Sequence, residues 1–311
     1  MNWLDYLEFL GVRLMLFLLQ RLRPAMASNV AGRLARIVGP RLPVSWVARR
    51  NLRAAMPGLG SSARRRIIAE VWENLGRTVG ELPHLGALDI TDEGAGFAIE
   101  GGEHLRAGPV IYVSAHYGNW EALPVIAARR GYIFSSFYRA ARNKRVDALI
   151  QALRAAALRQ DVAMFQKGAA GGRGAVAHLA GGGALGMLVD QKLNDGIEVP
   201  FLGLPAMTAP AAAAFALRYR CPVVPGRIER MGPARLCLIV EPPLDLPDSG
   251  NREADIRTLT AAINAKLGHW IETNPGAWLW LHRRWARESI DAALLQGKTD
   301  QRGQIAREDD Q

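Results

Sequence analysis

From about residue 96 onward, short apolar runs alternate with longer segments whose apolar residues recur at helical spacing. The runs predict strands at residues 98–100, 110–114, 133–138, 163–166, 185–190, 223–229 and 236–241. The longer segments predict helices near residues 120–130, 144–159, 172–182, 209–219 and 252–274. Strands that alternate with helices are typical of an α/β fold, so we expect a central, mostly parallel or mixed sheet flanked by helices.

The N-terminal segment between residues 3 and 22 is strongly apolar, although Asp5, Glu8 and Arg13 interrupt it. Its longest uninterrupted apolar run is shorter than the roughly 18 residues that a membrane span requires. Because its apolar residues follow helical spacing, we predict a membrane-associated helix over residues 1–23. The alternative is a helix that packs on the protein's own core.

The remainder of the chain predicts one large domain over residues 24–296, which includes a helix from Ser61 to Gly80. Residues 297–311 are polar and offer little apolar surface to bury. We expect them to form a disordered tail.

The chain is basic, with 39 Lys and Arg against 29 Asp and Glu, a formal net charge of +10 and a pI near 10.2. Such an excess indicates an anionic partner, either nucleic acid or an anionic membrane. The sequence contains neither a zinc-finger pattern nor an RNA-reading strand motif, so we expect no nucleic acid. Arginines gather between residues 21 and 66, and basic residues beside an apolar helix favour the cytoplasmic side of a membrane.

Several other kinds of chemistry lack support in the sequence. Cys221 and Cys237 lie in apolar, strand-like runs, which argues against a disulfide framework. The six histidines are scattered without metal-ligand spacing, so we predict no metal. The glycine-rich stretch 168–186 matches no phosphate-binding loop, and no G-x-S-x-G serine-hydrolase turn occurs.

One stretch carries candidate catalytic chemistry, namely residues 110–121, VIYVSAHYGNWE. His116 follows the predicted strand at a turn, and Glu121 stands five positions later where a helix begins. A carboxylate can orient an imidazole and stabilise its charged form while the imidazole takes a proton. We therefore predict that His116 and Glu121 form a catalytic pair in which His116 is a general base. The alternative is a structural histidine.

Ordered blocks from about residue 50 to residue 285 resemble one protein family. The block from His116 to Glu121 resembles the histidine–acid motif of the lysophospholipid acyltransferase superfamily, and in detail the chain resembles the bacterial lipid A late acyltransferases, the lauroyl/myristoyl acyltransferase family. The other blocks are Asn51-Leu52 to Pro57, Tyr138-Arg139 with Asp147 and Arg154, residues 186–192 (GMLVDQK), residues 199–208 (VPFLGLPAMT), residues 222–225 (PVVP) and residues 275–285 (PGAWLWLHRRW).

The resemblance implies an O-acyltransferase of lipid A biosynthesis, and hence of lipopolysaccharide biosynthesis. The donor would be an acyl carrier protein thioester or acyl-CoA, and no cofactor would be required. The acceptor would be a hydroxyl group on a phosphorylated glycolipid at the bacterial inner membrane, with the acyltransferase domain (24–296) on the cytoplasmic face. An acceptor that is another glycolipid or a lysophospholipid stays open, as does a non-catalytic lipid-binding protein with the same fold.

The resemblance also suggests residues that bind substrate. Arg139 and Arg154 would hold phosphate, since the planar fork of a guanidinium matches phosphate oxygens. Asp147 shares a helix face with Arg154, so a structural ion pair is the alternative for this arginine. Asp190 would orient Arg154 or Lys192, or else cap a turn.

Two residues next to His116 have expected roles in the same loop. Gly118 would let the chain turn closely beside the histidine, and Asn119 would hydrogen-bond the turn or the oxyanion of the reaction intermediate. Near the C-terminus, tryptophans alternate with arginines in a pattern that suits a membrane interface, with core packing as the alternative: Trp278, Trp280, Arg283, Arg284 and Trp285.

Overall fold

The computed structural model describes residues 3–296, which form an α/β fold with helices ahead of the sheet. The N-terminal helices are α1 (Trp3–Gln20), α2 (Pro24–Val38), α3 (Ser45–Ala55) and α4 (Ser61–Glu81). Helices α2 and α4 pack closely because α4 presents glycine to α2. A Cβ at Gly80 would lie only 2.6 Å from the carbonyl oxygen of Ala27.

The alternation of strands and helices that follows agrees with the predicted pattern. The elements are β1 (Gly96–Glu100), β2 (Val110–Ser114), α5 (Leu123–Arg129), β3 (Ser135–Tyr138), α6 (Lys144–Leu158), β4 (Met164–Gln166), α7 (Ala169–Ala180), β5 (Ala184–Leu188), β6 (Lys192–Phe201), β7 (Leu204–Thr208), α8 (Ala211–Tyr219), β8 (Val223–Gly232), β9 (Arg235–Val240) and α9 (Arg252–Thr273).

The main sheet has seven strands in the order β1-β9-β8-β2-β5-β3-β4. Its neighbouring strands are parallel except β8 and β9, which form an antiparallel pair. The expectation of a mostly parallel sheet flanked by helices is therefore confirmed. Strand β2 is central and buried along its whole length, which explains its continuous apolar sequence.

The two faces of the sheet carry separate parts of the core. On one face, Ile111 and Val113 of β2 pack in a cluster with residues of α4, α8, α9 and the C-terminal segment. On the other face, Val110 and Tyr112 pack in a cluster with residues of α5 and α6. Successive strand residues point to opposite faces, so a single apolar strand contributes to both clusters.

The tryptophans near the C-terminus belong to the core, so their interpretation as a membrane interface is wrong. Trp278 and Trp280 are completely buried, Trp285 is almost so, and their rings contact one another edge-on or tilted. Arg284 is buried with them and donates hydrogen bonds to the Met207 carbonyl and the Thr208 hydroxyl. Aromatic packing across the segment therefore explains the alternation of large apolar and basic residues.

Strands β6 and β7 form a separate antiparallel pair that the sequence pattern did not predict. Exposed polar residues at Asn194 and Asp195, together with Pro200 and Pro205, hide the alternation that normally identifies strands. The preceding strand is also shorter than predicted. It ends at Leu188, which leaves Asp190 in the loop beyond it.

Helix α1 confirms the helical spacing of the N-terminal segment. Its Leu16 and Leu19 are buried against the rest of the protein, whereas most of its large apolar side chains are exposed: Trp3, Leu4, Tyr6, Leu7, Leu10, Leu14, Met15, Phe17 and Leu18. Within residues 3–296, no helix combines the length and the apolar character needed to cross a membrane. The tail predicted for residues 297–311 lies outside the described residues.

Candidate active site

The loop that carries His116 is fixed by contacts on both sides. Gly118 has a φ of +57°, and a Cβ there would overlap the carbonyl oxygen of Ile228. Its N–H donates to the carbonyl of Ala277 at 3.0 Å, and its own carbonyl accepts from the Asn74 amide at 2.9 Å. Glycine is required for both the turn and the close approach, as the sequence suggested.

His116 is held by Asp190, which approaches from the neighbouring strand. In the sheet, Ser114 of β2 is paired in register with Leu188 of β5, so the residues two positions beyond each strand meet at its carboxyl edge. The Nδ1 atom of His116 lies 2.8 Å from Oδ1 of Asp190, and the His116 backbone N–H donates to Oδ2 at 2.9 Å.

Asp190 is completely buried and receives a third hydrogen bond, from the indole N–H of Trp278 at 2.8 Å. Burial by itself raises the pKa of this carboxyl, but the charge and hydrogen bonds of His116 outweigh it and hold the pKa far below its usual range. An ionised carboxylate only accepts hydrogen bonds, so His116 donates through Nδ1–H. In the neutral imidazole, Nε2 is then the lone-pair nitrogen that can act as a base.

Glu121 does not hold the imidazole, contrary to the predicted pair. Its carboxylate accepts two hydrogen bonds from Arg154, at 2.7 Å from Nε and 2.6 Å from Nη2. It also accepts from the indole N–H of Trp120 at 3.2 Å. Glu121 lies in the short helical turn Trp120–Ala122, and its side chain pairs with Arg154 of helix α6.

The same contacts revise the expectations for Arg154 and Asp190. Burial lowers the pKa of Arg154, yet the hydrogen bonds and negative charge of Glu121 leave a net rise. Arg154 is therefore engaged with Glu121, while Asp190 binds His116 and orients neither Arg154 nor Lys192. Asp147, the other expected partner of Arg154, accepts from the backbone N–H of Ala141 at 2.8 Å.

The remaining predicted residues separate into two groups. Arg139 lines the same cavity as His116, Glu121 and Arg154. Asn119 is buried and donates to Glu81 at 2.8 Å, which ties the loop to the end of α4. Lys192 begins strand β6 and is not among the described residues that line the cavity.

The cavity beside His116 has a volume of about 530 Å³ and lies between the sheet and helices α5 and α6. Its walls are mainly apolar, and the polar side chains that line it include His116, Glu121 and Arg154. The Phe134 ring packs on Gly186, where a Cβ would lie only 2.4 Å from the ring. It is tilted against the Tyr112 ring, with 5.2 Å between the ring centroids. The Tyr112 hydroxyl accepts from the backbone N–H of Arg106 and donates to its carbonyl, and these bonds hold the Tyr112 ring in place in the cavity wall.

Sequence reasoning missed several groups at this site. Lys167 lines the cavity and donates to Gln191 at 2.8 Å, and burial followed by the charge of Arg139 lowers its pKa. His282 lies beside His116, with 6.1 Å between ring centroids, and its Nε2–H donates to the Asp190 carbonyl at 3.2 Å. His282 lies in the C-terminal block of the family resemblance, residues 275–285, and that block could have identified it. Lys167 lies in none of the blocks.

Over residues 3–296 there is no group of three or more His, Cys, Asp and Glu side chains arranged to hold a metal ion.

Comparison with known proteins gives one family. Residues 2–287 match the family described as bacterial lipid A biosynthesis acyltransferase, which confirms the resemblance found in the sequence. Among solved structures, the chain is similar to the 1-acyl-sn-glycerophosphate (LPA) acyltransferase PlsC of Thermotoga maritima, with 14% sequence identity and a TM-score of 0.39, over 83% of this chain and 99% of that chain. No curated protein matches the sequence of this chain.

Proposed function

The chain belongs to the bacterial lipid A biosynthesis acyltransferase family, and from this premise we propose that it moves a fatty acyl chain from an acyl carrier protein thioester to a hydroxyl group of a lipid A precursor. The observation that carries the proposal is the His116–Asp190 pair at the end of an apolar cavity. A hydroxyl is a poor nucleophile until a positioned base takes its proton.

The geometry supports a direct transfer with His116 as the base. Its Nδ1–H is held by the buried Asp190 carboxylate, so Nε2 takes the proton of the acceptor hydroxyl as the oxygen attacks the thioester carbonyl. The negative charge of Asp190 stabilises the imidazolium that results. The proton then passes to the departing thiolate, which restores the neutral imidazole.

The apolar cavity offers a place for the acyl chain. Its volume of about 530 Å³ lies within the range of ligand sites, about 300–1,000 Å³. The chain would enter with its carbonyl at the His116 end and its methyl end toward Tyr112 and Phe134. Because the apolar walls exclude water, the thioester would be protected from hydrolysis during transfer.

Basic residues near the cavity suit a phosphorylated acceptor. Arg139 and Lys167 both line it, and their mutual repulsion contributes to the lowered pKa of Lys167. An anion bound between them would relieve that repulsion. We assign phosphate recognition to Arg139 and Lys167, while Arg154 supports Glu121.

The exposed apolar surface of the N-terminal helices supports membrane association. Apolar side chains of α1 are exposed, and α2 continues the surface with Met26, Val30, Leu34 and Ile37. Exposed arginines at 21, 23, 33 and 41 flank it and would attract anionic lipid. We propose that α1 and α2 lie on the cytoplasmic face of the bacterial inner membrane.

This surface is attached directly to the wall of the cavity. The Asn143 amide, which caps the start of α6, donates to the backbone carbonyl of Asp5 at 2.6 Å and to Glu8 at 3.1 Å. Helix α6 in turn carries Arg154 and lines the cavity. A protein bound through α1 would therefore hold its cavity close to the lipid that it modifies.

The test is mass spectrometry of lipid A from a strain that lacks the gene, complemented with the wild type, His116→Ala or His269→Ala. We expect one secondary acyl chain to be missing in the deletion strain and restored by the wild type. His269 is exposed and away from the cavity lining, so His269→Ala should also restore it, whereas His116→Ala should not.

Unchanged lipid A in the deletion strain would refute the lipid A assignment and favour another glycolipid or a lysophospholipid as acceptor. Restoration by His116→Ala at normal protein levels would refute the proposed base. Transfer rates of the purified enzyme, measured with acyl carrier protein thioesters and with acyl-CoA, then show which class of donor it uses.

A further inference from the structure

Ser114 is a buried hydroxyl in the wall of the apolar cavity. It is the last residue of β2, its exposure is 5%, and it lines the cavity together with His116. Among the described residues, its Oγ has no hydrogen-bond partner. Buried polar groups are normally paired, so an unpaired hydroxyl facing a ligand cavity indicates a partner on the ligand.

A second unpaired donor lies on the opposite wall. Gln151 of helix α6 lines the same cavity, and its buried Nε2 also has no partner within residues 3–296. An amide NH₂ only donates hydrogen bonds, and a serine hydroxyl can donate. A ligand that satisfies both groups must therefore present an oxygen acceptor.

Both donors are near the reacting end of the cavity. Ser114 precedes His116 by two positions, and alternate residues along a strand point to the same face. Gln151 precedes Arg154 by three positions, so on α6 it lies on the same face as the arginine that holds Glu121. The acyl oxygen that must be close to His116 is the carbonyl oxygen of the group being transferred.

We propose that the Ser114 hydroxyl, assisted by the Gln151 amide, donates a hydrogen bond to the carbonyl oxygen of the acyl thioester and stabilises the oxyanion formed during transfer. This inference rests on the proposed function. It gives the oxyanion role to Ser114 and Gln151 and removes it from Asn119, which is not among the described residues lining the cavity and whose amide NH₂ donates to Glu81.

Acyl transfer has two stages, addition to the carbonyl and loss of the thiolate. The acceptor oxygen forms a bond to the carbonyl carbon while His116 Nε2 takes its proton, and the carbonyl π electrons move to the oxygen that faces Ser114. The oxyanion then re-forms the carbonyl, the carbon–sulfur bond breaks, and the thiolate takes the proton from His116. Ser114 donates a hydrogen bond throughout and keeps its proton.

The first test is steady-state kinetics of Ser114→Ala, Gln151→Met and the control Ser135→Ala. Ser135 is a buried serine of β3 that is not among the described residues lining the cavity. Removal of one oxyanion donor lowers kcat by about 100-fold to 1,000-fold in known cases. We expect Ser114→Ala to lower kcat on this scale with KM changed less than about threefold. Ser135→Ala should remain close to the wild type.

Two kinetic outcomes would overturn the proposal. A kcat for Ser114→Ala equal to that of Ser135→Ala would show that the hydroxyl does not act on the oxyanion. A loss of kcat seen only with hydroxyacyl donors, which carry a hydroxyl group close to the carbonyl, would show that Ser114 binds the hydroxyl of the acyl chain instead. Ser114→Thr, which keeps a hydroxyl, should recover part of the lost rate.

A binding test separates this inference from the proposed function. A long-chain methyl ketone has the acyl carbonyl without the thioester, and the alkane of equal length lacks both. The ketone should raise the melting temperature of the wild type more than the alkane does, and Ser114→Ala should abolish that difference. If the ketone shows this effect but the enzyme does not transfer acyl chains to a lipid A precursor, the proposed function is refuted and the carbonyl site is supported. Equal effects of the two probes on the wild type would refute the carbonyl site.

Discussion

His116 and Asp190 are 74 positions apart in the chain, yet Nδ1 of the imidazole lies 2.8 Å from the carboxylate. Adjacent parallel strands bring them together, because each residue follows the carboxyl end of its strand. The same carboxylate also accepts from the Trp278 indole and the His116 backbone, so three donors fix it.

Asp190→Asn should lower acyl transfer about 100-fold or more, on the scale of general acid–base catalysis. The carboxamide cannot accept from all three donors, and an NH₂ group facing Nδ1 would move the proton to Nε2 and remove the base. The rate should be compared with that of Asp195→Asn, the same change at an exposed position of β6. Similar rates for the two variants would exclude Asp190 from the mechanism.

Glu121 and Arg154 should act as one unit. Glu121→Gln and Arg154→Gln should each reduce transfer strongly, and the double variant should lose little more than either alone. A double-mutant cycle on kcat/KM should give a coupling of about 1–3 kcal/mol. The Arg36–Glu73 ion pair between α2 and α4 supplies the matched control, for which we expect no effect on transfer. Additive losses at Glu121 and Arg154 would indicate separate roles.

The exposed face of α1 should govern membrane binding. Leu7, Leu14 and Leu18 are each more than half exposed, so their joint change to serine should leave the core intact. Each buried leucine contributes about 1.5–3 kcal/mol, so binding to anionic phospholipid vesicles should fall at least 100-fold. Leu193→Ser with Met231→Ser is the control, at exposed apolar sites outside α1 and α2. Co-sedimentation measures both, and unchanged binding of the α1 variant would place the membrane contact elsewhere.

His282 should make the stability of the protein depend on pH near neutrality. Burial lowers the pKa of His282 below its ordinary value of 6.5, and the nearby His116 acts in the same direction against the opposing charge of Asp190. The unfolded chain therefore takes up a proton at a higher pH than the folded protein. Its contribution to the free energy of unfolding is full above pH 6.5 and decreases as the pH falls below it.

Urea unfolding across this range measures the effect. His282→Gln keeps an N–H donor for the Asp190 carbonyl but cannot titrate, so its stability should vary less with pH than that of the wild type. His269→Gln changes an exposed histidine and should retain the wild-type dependence. An unaltered pH dependence in His282→Gln would assign the effect to another group.

Phe134 should limit the length of the acyl chain. Its ring packs on Gly186 and Tyr112 at the cavity wall, so Phe134→Ala should open space and shift preference toward longer donors. One hydrophobic contact of this kind changes selectivity by about 10-fold to 200-fold. Competition between donors of different length measures the ratio, with Phe165→Ala as a control at a ring outside the cavity lining.

Local patterns in the sequence predicted the fold class, the family and the position of the candidate catalytic loop. The continuous apolar run of β2 predicted a strand, and the spacing of His116, Gly118 and Glu121 identified the loop after it. These features are local, because strand burial and turn geometry are written in consecutive residues.

The carboxylate that contacts the imidazole could be identified only from the packing of the folded chain. Glu121 is five positions from His116 but turns toward Arg154 on α6, while Asp190 comes from the neighbouring strand. The environments of the C-terminal tryptophans and of Ser114 were equally hidden, since burial and unpaired hydrogen-bond donors depend on what packs against a residue. Side-chain partners are set by strand order and register, and these depend on contacts between residues far apart in the chain.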